Sequence, residues 1–205
     1  MGRRAAAHDS ELVASARGGD RHALEALYLR HRGPLFRTAL AVTRERGAAE
    51  ELLHDAFLRA IRHLDRVSLE PGASLGPWLH RIVINLAYDW VVRRSRSASG
   101  LDGLLDKLTT SAASSPERQA ECRELEEVVA GAVARLPFKQ RIAVILFYLH
   151  DMDLVEISGL LNVPEGTVKS RLYYARAKLR VSLASDSRLV GAGMGRYVSV
   201  QPPVA

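Results

Sequence analysis

The stretch Asp153-Leu-Val-Glu-Ile-Ser-Gly-Leu-Leu-Asn-Val-Pro-Glu-Gly-Thr-Val-Lys-Ser-Arg171 reads as two helices and the turn between them. Asp153 is a residue type that caps a helix start. Leu154, Ile157, Leu160 and Leu161 follow it at helical spacing. Asn162 stands where the chain needs a left-handed residue, and Asn tolerates that conformation better than most non-glycines. Pro164 and Glu165 suit the first turn of a second helix, the proline by its fixed φ and the acid by the positive end of the helix dipole. Val168, Leu172, Ala175 and Leu179 make the buried stripe of that second helix. Its other face offers Thr167, Lys169, Ser170, Arg171, Tyr174, Arg176 and Lys178. The pattern predicts a helix-turn-helix.

Charge singles out the same helix. From Glu165 to Arg180 there are five basic residues and one acid, whereas Glu121 to Leu160 holds seven acids and four bases. Arg and Lys pair with guanine edges or phosphates, and Ser or Thr suit phosphate oxygens, so this is where a nucleic-acid backbone would lie. The chain as a whole carries a formal net charge of +6 over 205 residues, which suits a polyanionic partner. Cys122 is the single cysteine. It can form neither an internal bridge nor a Cys-rich zinc site, so a reducing cytoplasm is the expectation. No stretch reaches the roughly 18 apolar residues of a membrane span. Arg3 and Arg4 have no apolar stretch behind them, so neither a signal peptide nor membrane insertion is expected.

Outward from the motif the chain reads as all-α, in two small helical domains joined by a flexible linker. Residues 1–9 read as a disordered tail and 10–94 as a first domain. Ser10 and Asp20 are candidate helix caps, and Gly18-Gly19 ends the first helix. Pro34 is expected to open a separate helix that closes near Gly47. Ala48 to Leu64 then shows a stripe of Leu53, Phe57, Ile61 and Leu64. A loop holding two glycines and two prolines runs from Ser68 to Pro77, and Trp78 to Arg94 is helical again. Residues 95–120 read as the linker, with one short turn around Leu104 and Leu105. Residues 121–184 form the second domain, broken at Leu136-Pro137, at His150 to Asp153 and at Asn162 to Pro164. Residues 185–205 read as a flexible tail.

Leu136-Pro-Phe-Lys-Gln-Arg141 followed by the helix-turn-helix resembles region four of extracytoplasmic-function (ECF) sigma factors. Ala49-Glu-Glu-Leu-Leu-His-Asp-Ala-Phe-Leu-Arg-Ala-Ile-Arg-His-Leu64 is similar to the sigma segment that docks on the RNA polymerase β′ coiled coil. Trp78-Leu-His-Arg-Ile-Val-Ile-Asn-Leu-Ala-Tyr-Asp-Trp-Val-Val-Arg-Arg94 is similar to regions two-three and two-four. The family usually has Gln-Glu at His54-Asp55, and commonly Trp at Ile61.

The resemblance implies a transcription initiation factor that needs no cofactor and is not an enzyme. Glu51, His54, Asp55, Leu58, Arg59 and Arg62 would face core polymerase, with the β flap a second contact. Asn85 and the loop from Ser68 to Ser74 would hold an extruded base of the minus-ten element, while Arg81, Arg93, Arg94 and Arg96 hold phosphates. Trp78 and Trp90 are expected in the core. Glu165, Thr167, Lys169, Ser170, Arg171, Tyr174, Arg176 and Lys178 would read the minus-thirty-five element. An anti-sigma factor is a further implied partner.

Two other readings use parts of the chain. A dimeric helix-turn-helix regulator accounts for residues 153–180 but leaves the two N-terminal patterns without purpose. A metal-dependent nuclease or phosphohydrolase would use Glu50, Glu51, His54 and Asp55, whose i, i+4 spacing is permissible, yet no second helix supplies matching ligands.

Overall fold

Aspartates and left-handed residues set the helix boundaries of this chain. A computed structural model describes residues 9–97 and 116–184. Among them, α1 spans Asp9–Arg17, α2 Arg21–Thr43, α3 Arg46–His63 and α4 Gly76–Ser97. A single 3-10 turn, Leu64–Arg66, follows α3. In the second half, α5 spans Pro116–Ala134, α6 Phe138–Val144, α7 Leu154–Leu161 and α8 Glu165–Ala184, with a wider π turn at Ile145–Leu149. No strand occurs among the described residues. The architecture is all-α in two domains.

Asp20 caps α2 by accepting the His22 N–H at 2.9 Å, and Arg44 closes it in the left-handed region at φ 57°. The helix runs straight through Pro34 instead of restarting there. The proline removes one backbone donor, but the buried stripe of Leu27, Leu35, Ala39 and Val42 stays in phase across it. Burying such side chains is worth about 1.5–3 kcal/mol each, enough to outweigh one lost bond.

On α3 the buried face is Leu52, Leu53, Ala56 and Ala60, with Leu64 just beyond. Phe57 packs partly against the core, and Ile61, expected in the stripe, is 49% exposed. Two alanines on the inner face let α3 approach closely and rotate Ile61 outward. Helix α4 starts at Gly76, two residues before the expected Trp78, because the Ser74 hydroxyl accepts the Gly76 N–H at 3.1 Å. The core of the first domain forms where α2 packs on α1, α3 and α4.

Three of the sequence boundaries shift. Asp9, assigned to the tail, begins α1 and is fully buried. Residues 95–97 and 116–120, assigned to the linker, continue α4 and start α5. Pro116 suits that start, since its fixed φ matches a first helical turn. The short turn at Leu104 and Leu105, residues 1–8 and residues 185–205 lie outside the described residues.

The second domain is closed by α8, which packs on α5, α6 and α7. Asp153 and Glu156 form a reciprocal capping box at the start of α7, with hydrogen bonds of 2.8 and 2.9 Å. Asn162 ends α7 at φ 52°, ψ 53°, as the turn requires. Val168, Leu172 and Ala175 are buried and Leu179 partly so. Helix α7 also packs against α4, joining the two domains.

Candidate nucleic-acid interface

Trp78, Ile82 and Asn85 lie at i, i+4 and i+7, so α4 presents them on one face. Arg59 and His63 from the last turns of α3, and Arg66 from the 3-10 turn, close the opposite wall. Together these six residues line an open cleft of about 350 Å³. Trp78 is half-buried, packs against the core and also lines the cleft. Asn85 is exposed. An amide that reads a base edge, an aromatic surface and three basic groups are what a single strand with one unstacked base requires.

The neighbouring residues divide. Ser68 is exposed, while Ser74 is half-buried and donates its hydroxyl to Asp9 Oδ2 at 3.2 Å. Arg93 and Arg96 are exposed. Arg94 Nη1 pairs with Glu45 Oε2 at 2.5 Å, and its guanidinium lies 5.0 Å from the Trp90 ring centroid. Arg81 reaches across to α7, donating from Nε to the Leu160 carbonyl at 2.9 Å and from Nη2 to the Gly159 carbonyl at 2.7 Å. Carbonyls at a helix C-terminus attract a cation through the dipole. A second cleft of about 250 Å³, lined by Arg81, Ile84, Asn85, Leu160, Leu161 and Asn162, lies along this contact.

Three polar side chains meet behind it. His150 Nε2 and Thr38 Oγ1 are hydrogen-bonded at 2.7 Å, and the His150 and His80 rings meet edge-on at 4.8 Å. His80 donates Nδ1–H to the Gly76 carbonyl at 2.9 Å. Burial, then repulsion from His80 and Arg37, lowers the pKa of His150 to about 4. Burial likewise lowers that of His80, against the raising effect of its bond to Gly76.

On α8, Glu165, Lys169, Ser170, Tyr174 and Lys178 are exposed, and Thr167, Arg171 and Arg176 are half-exposed. Ser170 Oγ donates to the Thr167 carbonyl at 2.9 Å. Arg176 donates from Nε to the Tyr148 hydroxyl at 3.0 Å and lies 5.8 Å from the Phe147 ring centroid. Its guanidinium is therefore held in place by the π turn.

Glu51, His54, Asp55, Leu58, Arg59 and Arg62, the residues expected to face core polymerase, are all exposed on α3. Arg59 turns to the cleft shared with Asn85. Ile61, Tyr28 and Leu29 extend the apolar part of this surface, and Tyr28 meets Phe57 with ring centroids 4.8 Å apart. Glu50 pairs with Arg46 at 2.9 Å.

Residues 27–97 match the family model for Sigma-70 region 2, and residues 126–179 the model for Sigma-70, region 4. The ECF RNA polymerase sigma factor SigM of Mycobacterium tuberculosis is 36% identical over 171 residues, covering 83% of this chain and 82% of its own length. The chain belongs to the ECF sigma factors. SigM of Bacillus subtilis is 29% identical over 157 residues, covering 77% of this chain and 93% of its own. Among solved structures, CnrH in complex with the cytosolic domain of CnrY has a TM-score of 0.63 at 24% identity, covering 87% of this chain and 99% of that one. The sigma factor RpoE of Bartonella quintana, solved with the anti-sigma factor NepR, gives 0.62 at 24%, covering 79% and 97%. These two structures bear on the fold.

As an ECF sigma factor, this chain is a DNA-binding regulator that directs RNA polymerase to promoters. No helix among the described residues is long and apolar enough to cross a membrane. Sequence reasoning missed His63 and Arg66 in the cleft. Their signal was there, since Arg59, His63 and Arg66 recur at intervals of four and three toward the end of α3. The bond from Arg176 to Tyr148, 28 residues away, had no such signal.

Proposed function

We propose that the two domains divide promoter recognition between them. The first, about residues 10–94, binds core polymerase through Glu51, His54, Asp55, Leu58 and Arg62, on the β′ coiled coil. It captures the minus-ten strand in the cleft of Trp78, Ile82 and Asn85. Arg59, His63 and Arg66 lie along the backbone of that strand, with Arg93 and Arg94 beyond. The second domain, about residues 121–184, lays α8 on the duplex of the minus-thirty-five element, led by Lys169 and Arg171, and meets the β flap. The polymerase supplies the catalysis.

The observation that carries this reading is the convergence of an exposed amide, an aromatic wall and three basic side chains in one cleft. Unstacking a base costs a few kcal/mol, and stacking plus edge hydrogen bonds in such a pocket return it. Helix α7 lies against Arg81 and Asn85 in the second cleft, so engagement of a phosphate by Arg81 requires α7 to withdraw from α4 and free its guanidinium. An anti-sigma factor acting in the cytoplasm could hold the two domains together. RpoE, a neighbour in fold, was solved with such a partner.

The test is run-off transcription by core polymerase with wild-type chain and with Asn85→Ala, on duplex and on pre-melted templates. The reading expects holoenzyme assembly to survive the substitution and transcription from the duplex to fall most. Equal transcription by both proteins on duplex DNA would reject the assignment of Asn85.

A further inference from the structure

Helix α1 lies outside the stretch matched to region 2, yet it grips the loop beside the cleft at both ends. At its first residue, the buried Asp9 carboxylate accepts the Leu75 N–H at 2.7 Å and the Ser74 hydroxyl at 3.2 Å. Arg30 Nη1 at 2.5 Å and His31 Nε2 at 3.0 Å, both from α2, hold the carboxylate from behind. At its last residue, Arg17 donates from Nε and Nη2 to the Leu64 carbonyl at 3.2 and 3.1 Å. The same Nη2 also donates to the Val67 carbonyl. Eight residue steps of helix fix about 12 Å between the Cα atoms of these two residues. Buried Val13 and Ala16 seat the helix between them.

The gripped points adjoin the cleft. Val67 follows Arg66, and Leu75 stands three residues before Trp78, and both Arg66 and Trp78 line the cleft. We propose that α1 is a clamp whose terminal side chains, Asp9 and Arg17, are positioning residues that set the span of the Ser68–Ser74 loop and so the shape of the strand-capturing cleft. The proposal rests on the reading of that cleft as the minus-ten site. Neither residue touches DNA in this scheme. Each acts through the loop, one at its start and one at its end. A helix is the stiffest short spacer available, so the distance between the loop ends follows the helix and not the loop's own sequence.

The experiment uses the full chain and its Asp9→Asn, Arg17→Met and Arg17→Lys variants. Hydrogen exchange is measured on each. Core polymerase is then loaded with each, and holoenzyme binding is selected from duplexes randomised across the minus-ten segment. Arg17→Met is expected to speed exchange of the loop amides about tenfold while α2 and α3 amides keep their rates, and Asp9→Asn to speed the loop amides more than those of α2 and α3. Polymerase association should hold, and preference for the best minus-ten sequence over a single-base change should fall about tenfold. Arg17→Lys, which keeps one charged donor, should recover part of that preference.

Uniformly faster exchange across the first domain, or loss of polymerase association, would make α1 a general stabiliser and overturn the proposal. So would a loosened loop with full base preference. Should wild-type holoenzyme enrich no sequence at all, the minus-ten reading itself falls, and the clamp's role in recognition falls with it.

Discussion

Of the aspartates at helix starts, Asp153 in the second domain and Asp9 in the first hold the chain in different ways. Asp153 is exposed, and both bonds of its capping box lie within three residues. Asp9 is fully buried, and its partners are 21 to 66 residues away in sequence. The first is a local stitch that defines where α7 begins. The second joins α1, α2 and the start of α4. Charge chemistry is the same in both, so the difference lies in desolvation and reach. An exposed cap competes with water, whereas a buried carboxylate leaves its donors stranded when removed.

The largest expected effect is therefore at Asp9. Asp9→Ala leaves Arg30, His31 and the Leu75 amide facing an empty site, and truncating one partner of a buried pair costs about 3 kcal/mol or more. Urea unfolding of the full chain measures it, and a loss no greater than that of Asp153→Ala would erase the contrast. Acid provides an independent check. Burial alone would raise the Asp9 pKa, but bonds from His31, Leu75 and Arg30 bring it to about 2, below the ordinary 3.8. The folded state thus binds the proton less readily than the unfolded one, and this stability is present above pH 4 and lost as pH falls toward 2. Asp9→Asn should flatten the acid transition in that window.

Substitutions on α8 should separate function from stability. Lys169→Gln with Arg171→Gln removes two cations from a helix whose buried face is untouched. Promoter affinity should fall about thirtyfold or more, with the salt slope reduced by about two. Polymerase association and the urea midpoint should hold. Loss of polymerase association with unchanged DNA binding would reverse the roles of the two domains.

Between the domains, His150 should respond to acid earlier than Asp9. Its pKa is lowered to about 4, first by burial and then by His80 and Arg37, so the folded state keeps it neutral. The unfolded state takes up a proton near pH 6.5, hence stability is complete above that and declines as pH falls toward 4. Melting temperatures from pH 7.5 to 5 should drop, and His150→Gln should reduce the slope. An unchanged slope would assign the acid response to other groups.

Asp153→Ala should cost about 1 kcal/mol, the usual worth of an N-cap. The legibility of this region has the same origin. Asp153, Asn162, Pro164 and Glu165 act on backbone a few residues away, so the helix-turn-helix could be read from order and residue type alone. The Asp20 cap and the end of α1 at Gly18-Gly19 were legible for that reason. Asp9 and Arg17 were not, because nothing in their neighbourhood names Leu75 or Val67 as partners. The same holds for Arg81, whose partners on α7 lie 78 and 79 residues on. Periodicity located α3 but misjudged Ile61, since small residues, Ala56 and Ala60, decided which side turned inward. Asn85 was legible through resemblance, while the basic wall opposite it needed two helices to be set side by side.

The smallest effect tests the local end of the comparison most finely. Asn162 sits at φ 52°, its N–H bonds the Ser158 carbonyl, and the Ser158 hydroxyl donates to the Val163 carbonyl at 2.7 Å. None of these bonds uses the Asn162 side chain, so backbone conformation is what the position demands. Asn162→Gly should leave stability within about 0.5 kcal/mol, because glycine enters the left-handed region freely, although it loses more entropy on folding. Asn162→Ala should cost about 1 kcal/mol, because alanine keeps the Cβ but lacks the short polar side chain that eases asparagine into this region. Denaturant midpoints of the two variants measure the difference. If Gly and Ala cost the same, the turn is held by the amide of Asn162 and not by its φ.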